Sequence, residues 1–293
     1  MLFGGLGNQM SQYAFYLRKK HNDPSTRVIY NRLTQNDHFG YELSRVFGIK
    51  LDNSVFSLIL FYLYRLSTPK KRWQKPLSWL LKQIGIKVIK EAQNYDYNED
   101  NYAKRRGINF YWGGWHSEKN FLPVASSIRE VFHFGFAKNN EGPIATVVDA
   151  IRNTNSISIH VRRGDYLKPT TGIHQFADIA TISYYSSAIN YIRSRIESAS
   201  FFVFSDDLNW CRGNLGLDSA TYVDCNQGTE SWKDMMLISL CKHNINANSS
   251  FSWWGAWLNS NGQKIITVPD RFIQKMTTKD VYPEPWIKLK SQN

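Results

Sequence analysis

In the second half of the chain the spacing of apolar positions switches repeatedly between two and three to four. Ser156-Ile157-Ser158-Ile159-His160-Val161 alternates small polar with β-branched residues, which predicts a strand, and it runs straight into Arg162-Arg163-Gly164-Asp165. Tyr185, Ala188, Ile189, Ile192 and Ile196 then recur at helical spacing, and Phe201-Phe202-Val203-Phe204 reads as a short buried strand closed by Ser205-Asp206-Asp207. Trp232, Met235, Met236, Ser239 and Leu240 make another helical stripe. After it come a short apolar stretch at 245–247, a polar turn at Asn248-Ser249-Ser250, a tryptophan-rich segment and a strand over 264–268. Strand and helix alternate throughout, so a parallel α/β sheet is expected. In such sheets ligands bind outside the carboxyl ends of the strands, where the polar turns 162–165, 205–207 and 248–250 fall.

The first half opens on Gly4-Gly5-Leu6-Gly7-Asn8-Gln9, followed by Met10, Tyr13, Ala14 and Leu17 at helical spacing. A glycine loop (Gly5, Gly7) feeding a helix N-terminus lets backbone amides approach an anion or a sugar; a tight strand-to-helix turn accounts for the same glycines equally well. Only three residues precede the loop, so its strand is either clipped or an abbreviated edge. The longest apolar run, Val55 to Leu66, carries Ser57 and Arg65 and falls short of the roughly 20 residues that a spanning helix needs. A buried helix is expected there, the alternative being an interfacial patch that holds the chain at an anionic membrane. Residues 68–76, basic and bounded by prolines, read as a surface linker.

Composition narrows the class. The chain has 293 residues, 42% of them hydrophobic, which is core material for one large domain or two ordinary ones and excludes disorder. Lys plus Arg exceeds Asp plus Glu by 36 − 24 = 12, a surface suited to phosphates, nucleic acid or anionic lipid. Cys211, Cys225 and Cys241 are odd in number and form no Cys-x-x-Cys pair, and no signal peptide opens the chain, which favours a reducing compartment.

The strongest chemical signal is His160, Arg162, Arg163 and Asp165 at a sheet's carboxyl edge. Adjacent arginines on a surface are usually solvated charges; here they look like a diphosphate clamp, because a guanidinium matches phosphate oxygens bidentately. His116, His133 and His174 lack metal-ligand spacing and read as ordinary histidines. Asp206-Asp207 is a helix N-cap in preference to a metal site, and no Asp-x-Asp pair occurs in the chain. Trp253, Trp254 and Trp257 are expected to be packing residues.

These residues carry a family resemblance. Gly4-Gly5-Leu6-Gly7-Asn8-Gln9-Met10, the segment Gly114-Trp115-His116-Ser117-Glu118-Lys119 with Phe121, the group His160-Val161-Arg162-Arg163-Gly164-Asp165-Tyr166, and the blocks 241–244 and 248–257 resemble the bacterial α-1,2-fucosyltransferases in order and spacing across nearly the whole chain. The resemblance implies an inverting, metal-independent glycosyltransferase that moves L-fucose from GDP-fucose to the 2-hydroxyl of a galactose-type acceptor in a surface glycan such as O-antigen. It implies a GT-B-like α/β fold, two Rossmann-like halves facing each other across a cleft. Residues 1–140 would form the acceptor side and 141–293 the GDP-fucose-binding half, in a cytoplasmic protein with peripheral contact at the inner membrane as an option. Carried over residue by residue, His160 and Asp234 match guanine-contacting positions, Arg162 the diphosphate-binding arginine ordered by Arg163 or Asp165, Ser249, Ser250 and Phe251 the nucleotide-binding turn, and Asn8 a position near the reacting sugar. His116 stands where the resemblance leads one to expect Gln. A related transferase with another GDP-sugar donor or another linkage is one alternative; a basic nucleic-acid-binding module is the alternative from another class, weakened by basic residues that are dispersed and by the lack of a binding motif.

Overall fold

The computed structural model describes residues 1–30, 39–135, 142–167 and 174–291. The chain divides into two compact units, Met1–His133 and Phe134–Asn293. The boundary expected at 140/141 lies outside the described residues.

In the first unit the glycine loop leads into helix α1 (Leu6–Asn22), and the strand expected before it is a single parallel bridge between Leu2 and Tyr30. The buried face of α1 carries Leu6, Met10, Ala14 and Phe15, whereas Tyr13 and Leu17 are only partly covered. It also carries polar groups that hydrophobic spacing would place outside: Gln9, Gln12, Arg18 and Lys19. Burying such groups is tolerable when they are hydrogen-bonded. Gln12 Oε1 accepts from Phe3 N at 2.8 Å, Arg18 donates to Lys119 O at 2.8 Å and lies 3.7 Å over the Tyr102 ring, and Lys19 donates to Asn101 O at 3.0 Å. Helices α2 (Glu42–Phe47), α3 (Val55–Ser67) and α4 (Lys75–Gln83) precede a parallel pair, β1 (Ile86–Lys90) and β2 (Ile108–Trp112), and α5 (Ala125–Val131) follows. The inner faces of α3 and α4 meet that pair in one core of Phe61, Tyr64, Leu81, Ile86 and Phe110. The linker expected over 68–76 is corrected: Arg72–Gln74 is a 3-10 turn and α4 has already begun at Lys75, with Pro76 in its first turn. Proline is tolerated there because the first helical amides have no intrahelical partner.

The second unit contains α6 (Pro143–Arg152), β3 (Asn155–Val161), α7 (Ile182–Arg193), β4 (Ala199–Ser205), α8 (Leu208–Asn214), β5 (Ala220–Tyr222), α9 (Trp232–Leu240), β6 (His243–Ile245), α10 (Ser250–Leu258), β7 (Ile266–Pro269) and β8 (Ile287–Leu289). Its sheet is parallel throughout, in the order β5-β4-β3-β6-β7-β8. Counted within this unit the order is 3-2-1-4-5-6, the doubly wound arrangement, and its direction reverses between β3 and β6. The α/β expectation therefore holds, with β6 two residues earlier than the stretch at 245–247.

One face of the sheet packs Ile157, Ile159, Val161, Phe201 and Val203 against α7 and α8. On the other, Ser158 Oγ accepts from Asn244 Nδ2 at 2.8 Å, and the same amide donates to Ile238 O of α9 at 2.8 Å. Asn259 Nδ2 then donates to Asn244 Oδ1 at 2.8 Å, closing a buried polar chain that joins β3, β6, α9 and the end of α10. Helices α9 and α10 touch at Gly255, where an added Cβ would stand 2.5 Å from Ile238 Cγ2, so only glycine permits this approach. Trp253, Trp254 and Trp257 are buried as packing residues, and Trp253 Nε1 donates to Val281 O at 2.8 Å.

Candidate functional site

The reversal point between β3 and β6 brings together the loop that begins at Arg162 and the turn at 246–250. Parallel register pairs Val161 with Ser205, so Arg162 and Asp206 leave the sheet side by side. Arg162 Nη2 donates to Asp165 Oδ2 at 2.8 Å, and Nη1 lies 3.3 Å from Asp206 Oδ2. Burial opposes the charge of this half-buried guanidinium, but the bond to Asp165 and the field of Asp206 outweigh it and hold its pKa above the ordinary value. Asp206 also shapes the loop itself: its Oδ1 accepts from Arg163 N at 2.9 Å and its Oδ2 from Gly164 N at 3.1 Å.

Arg163 is held differently. Its guanidinium lies 4.0 Å over the Trp210 ring, with Nε 3.5 Å from Asp207 Oδ2. Asp207 is the expected N-cap, accepting from Trp210 N at 3.0 Å at the start of α8. The expected cap is thus Asp207, while Asp206 counters an arginine. Among the described residues no three His, Cys, Asp or Glu side chains are grouped so as to hold a metal ion.

His160 is buried near the end of β3, its ring stacked on Phe251 at 5.5 Å. Burial, and then the charge of Arg162, lower its pKa to about 3, so the imidazole is neutral at physiological pH, and its Nδ1 is buried without a hydrogen-bond partner among the described residues. A buried ring nitrogen of this kind can serve a ligand. Tyr166 links the two loops: its hydroxyl donates to Asn248 O at 3.3 Å, and Arg162 lies 5.8 Å from its ring centroid. Asn248 Nδ2 donates to Phe176 O and Phe272 O, fixing the turn from behind. Ser249 Oγ accepts from Phe251 N at 3.3 Å as the N-cap of α10, and Ser250 is that helix's first residue. Next to this turn the buried Asn246 amide has neither Oδ1 nor Nδ2 bonded among the described residues. Asp234 stands on another element, the first turn of α9, where its Oδ1 accepts from Asn226 Nδ2 at 2.8 Å. Burial pushes its carboxyl up to about 7, partly offset by that bond.

In the first unit Asn8 is half-buried in the opening turn of α1, close under Gly4, where a Cβ would meet Asn8 Nδ2 at 2.6 Å. The left-handed conformation falls on Gly4 (φ 75°), while Gly5 is the helix N-cap at φ −74° and Gly7 is buried in the helix. Ser11 Oγ and His116 Nδ1 are 3.2 Å apart, and burial lowers this imidazole to about 4. Glu91 Oε2 accepts from Gly114 N at 2.7 Å and Trp115 N at 2.8 Å, holding the turn in which Trp115 takes a positive φ of 56°. Burial raises the Glu91 carboxyl to about 7.

The structure thus joins His160, Arg162, Arg163 and Asp165 with Phe251 and the Ser249 turn, and adds Asp206, Trp210, Tyr166 and Asn246. Asp234, and Asn8, Gly5 and Gly7, lie on separate elements. Asp206 had one usable signal: two neighbouring parallel strands ending in register place the next residues of each beside one another. Glu91 had none.

A doubly wound parallel sheet with an oriented arginine at its reversal point is the class of domain that receives phosphorylated ligands. The chain belongs to glycosyl transferase family 11, whose model matches residues 1–290. It is 30% identical to an alpha-1,2-colitosyltransferase of Escherichia coli over 98% of this chain and 97% of that one. Over 45% of this chain and 38% of the relative, it is 29% identical to the galactoside alpha-(1,2)-fucosyltransferase 1 of Saimiri boliviensis boliviensis. Among solved structures, NodZ alpha-1,6-fucosyltransferase soaked with GDP-fucose aligns with 87% of this chain and 90% of its own, at 14% identity and a TM-score of 0.47.

Proposed function

We propose that this glycosyltransferase moves L-fucose from GDP-fucose to the 2-hydroxyl of a galactose-type acceptor, with inversion. The observation that carries the reading is Arg162, pre-oriented by Asp165 and Asp206 at the reversal point of the sheet. Breaking the bond from the sugar to GDP develops negative charge on the diphosphate, and a cation fixed beforehand stabilises that charge more than it stabilises the ground state. Arg162 is the catalytic cation in this reading. Asp165 orders it, Arg163 adds a second positive charge on the same loop, and the Ser249-Ser250-Phe251 turn supplies neutral contacts to the nucleotide. His160 and Asp234 read guanine, and Asn8 orients the acceptor hydroxyl beside the Gly5 and Gly7 loop. With charge neutralised by arginine, transfer proceeds without a divalent metal. Two relatives bearing alpha-1,2 names support the linkage.

The competing donor is GDP-colitose, whose sugar lacks one hydroxyl of fucose. The pure protein, incubated with each labelled GDP-sugar and a panel of galactosides, is expected to give a fucosylated product that a 1,2-specific fucosidase cleaves. Transfer of colitose in preference to fucose would reassign the donor and leave the clamp intact; transfer from neither would overturn the reading.

A further inference from the structure

Helices α3 and α4 are apolar on the face that packs against β1 and β2, and apolar again on the face that does not. Phe56, Ile59, Tyr62 and Leu66 repeat at three- and four-residue steps along the outer side of α3, and all are exposed. Trp73, in the connecting turn, is 73% exposed and Trp79, on α4, 63%. Ten of the fifteen large apolar side chains that are exposed among the described residues lie between Val55 and Ile84, so exposed apolar area is concentrated in this hairpin beyond the ordinary scatter of apolar residues. By comparison, α7 in the second unit turns Ser186, Ser187, Asn190 and Arg193 outward. A helix that is apolar on two opposite faces needs a second apolar environment.

Charge identifies which environment. No acidic residue stands between Asp52 and Glu91, whereas that stretch carries eight Lys and Arg. Lys70, Lys71 and Arg72, all exposed, adjoin Trp73 directly, and Lys75 and Lys82 lie on α4 four residues before and three after Trp79, on the same side of the helix. A second copy of the chain seated on this face by two-fold symmetry would set two such cationic clusters against each other. Nucleic acid would satisfy the cations but not the aliphatic stripe. An anionic bilayer satisfies both: exposed apolar and indole groups enter the headgroup boundary while Lys and Arg meet lipid phosphates. We propose that the α3–α4 hairpin is a bilayer-docking surface that seats the protein on anionic membrane. It is independent of every donor-site assignment above.

The test is flotation of the full chain with phosphatidylcholine vesicles, with and without phosphatidylglycerol, at low and high salt. Two variants accompany it: Trp73→Ser/Trp79→Ser, and Lys70→Glu/Lys71→Glu/Arg72→Glu. All five positions are exposed, so thermal unfolding is expected to be unchanged. The parent should float with anionic vesicles at low salt, partition at least about tenfold less without phosphatidylglycerol or at high salt, and lose at least about tenfold in either variant. Absence of flotation, or flotation that survives both variants, would overturn the proposal. So would a parent dimer, seen by sedimentation equilibrium, that the Trp73→Ser/Trp79→Ser variant dissociates.

Discussion

Asp206 Oδ2 lies 3.3 Å from Arg162 Nη1 and also accepts from the Gly164 amide at 3.1 Å. One carboxylate therefore sets both the charge and the backbone of the loop after β3. Asp207, the next residue, spends its Oδ1 on the amide of Trp210 at the start of α8.

The two neighbours should consequently fail in different ways. Asp206→Ala is expected to lower kcat/KM by about ten- to a hundredfold, the scale of freeing an oriented charged donor. Asp207→Ala should cost about 1 kcal/mol of stability through the lost cap and leave kcat/KM within a few-fold. Steady-state kinetics and thermal unfolding measured on both variants check this. Equal kinetic losses would mean that Asp206 has no special relation to Arg162.

If Asp234 reads guanine as proposed, nucleotide affinity should depend on pH. Its carboxyl sits near 7 in the free protein, raised by burial. The ionised form is the one that accepts from the N1–H and N2–H₂ donors of guanine, which adenine lacks. GDP affinity should therefore level off above pH 7 and fall below it, by up to about tenfold per pH unit. Asp234→Asn should flatten this dependence and narrow the gap between GDP and ADP. Calorimetric titrations in which ADP shows the parent's full slope, or in which Asp234→Asn retains it, would assign Asp234 a structural role.

With Arg162 in the proposed role of offsetting the leaving charge, transfer should persist in excess EDTA and gain little from added Mg²⁺ or Mn²⁺, since Asp206 is already engaged by Arg162, Arg163 N and Gly164 N. If chelation abolished transfer and metal restored it, Asp206 and Asp207 would be the first residues to re-examine.

The α9–α10 contact predicts a stability change away from the site. Gly255→Ala places a methyl 2.5 Å from Ile238 Cγ2 and should cost about 1–3 kcal/mol by overpacking. Ile238→Ala removes that methyl, so in the double variant the two losses should add to less than their sum. Strict additivity in denaturant unfolding would show that the helices move apart freely.

What could be read along the chain was what one element or one strand end encodes. The alternation over 156–161 marks β3, and Arg162 at its end marks the carboxyl edge. The same alternation does not reveal that β3 is covered on both faces, because Ser156 and Ser158 are satisfied by Lys242 N and Asn244 Nδ2, residues 86 positions away. The sequence places a helix cap within Asp206-Asp207 without saying which residue it is; only register with β3 makes Asp206 the partner of Arg162. Helix α1 misled in the other direction. Arg18 and Lys19 carry no apolar signal, yet both are buried against residues some 80 to 100 positions further on. Likewise α4 was hidden by Pro76 and the lysines around it, which are local marks of a loop until a helix places them in its first turn and on its outer face.

The central claim is that Arg162 stabilises the departing diphosphate, and single-turnover kinetics of Arg162→Lys with saturating GDP-fucose test it most directly. The lysine keeps the charge but cannot hold Asp165 and Asp206 with a planar fork while facing phosphate. Turnover should fall by about 10²- to 10³-fold, the scale of removing one preorganised donor, with the fold intact by thermal unfolding. Turnover within a few-fold of the parent would contradict the claim.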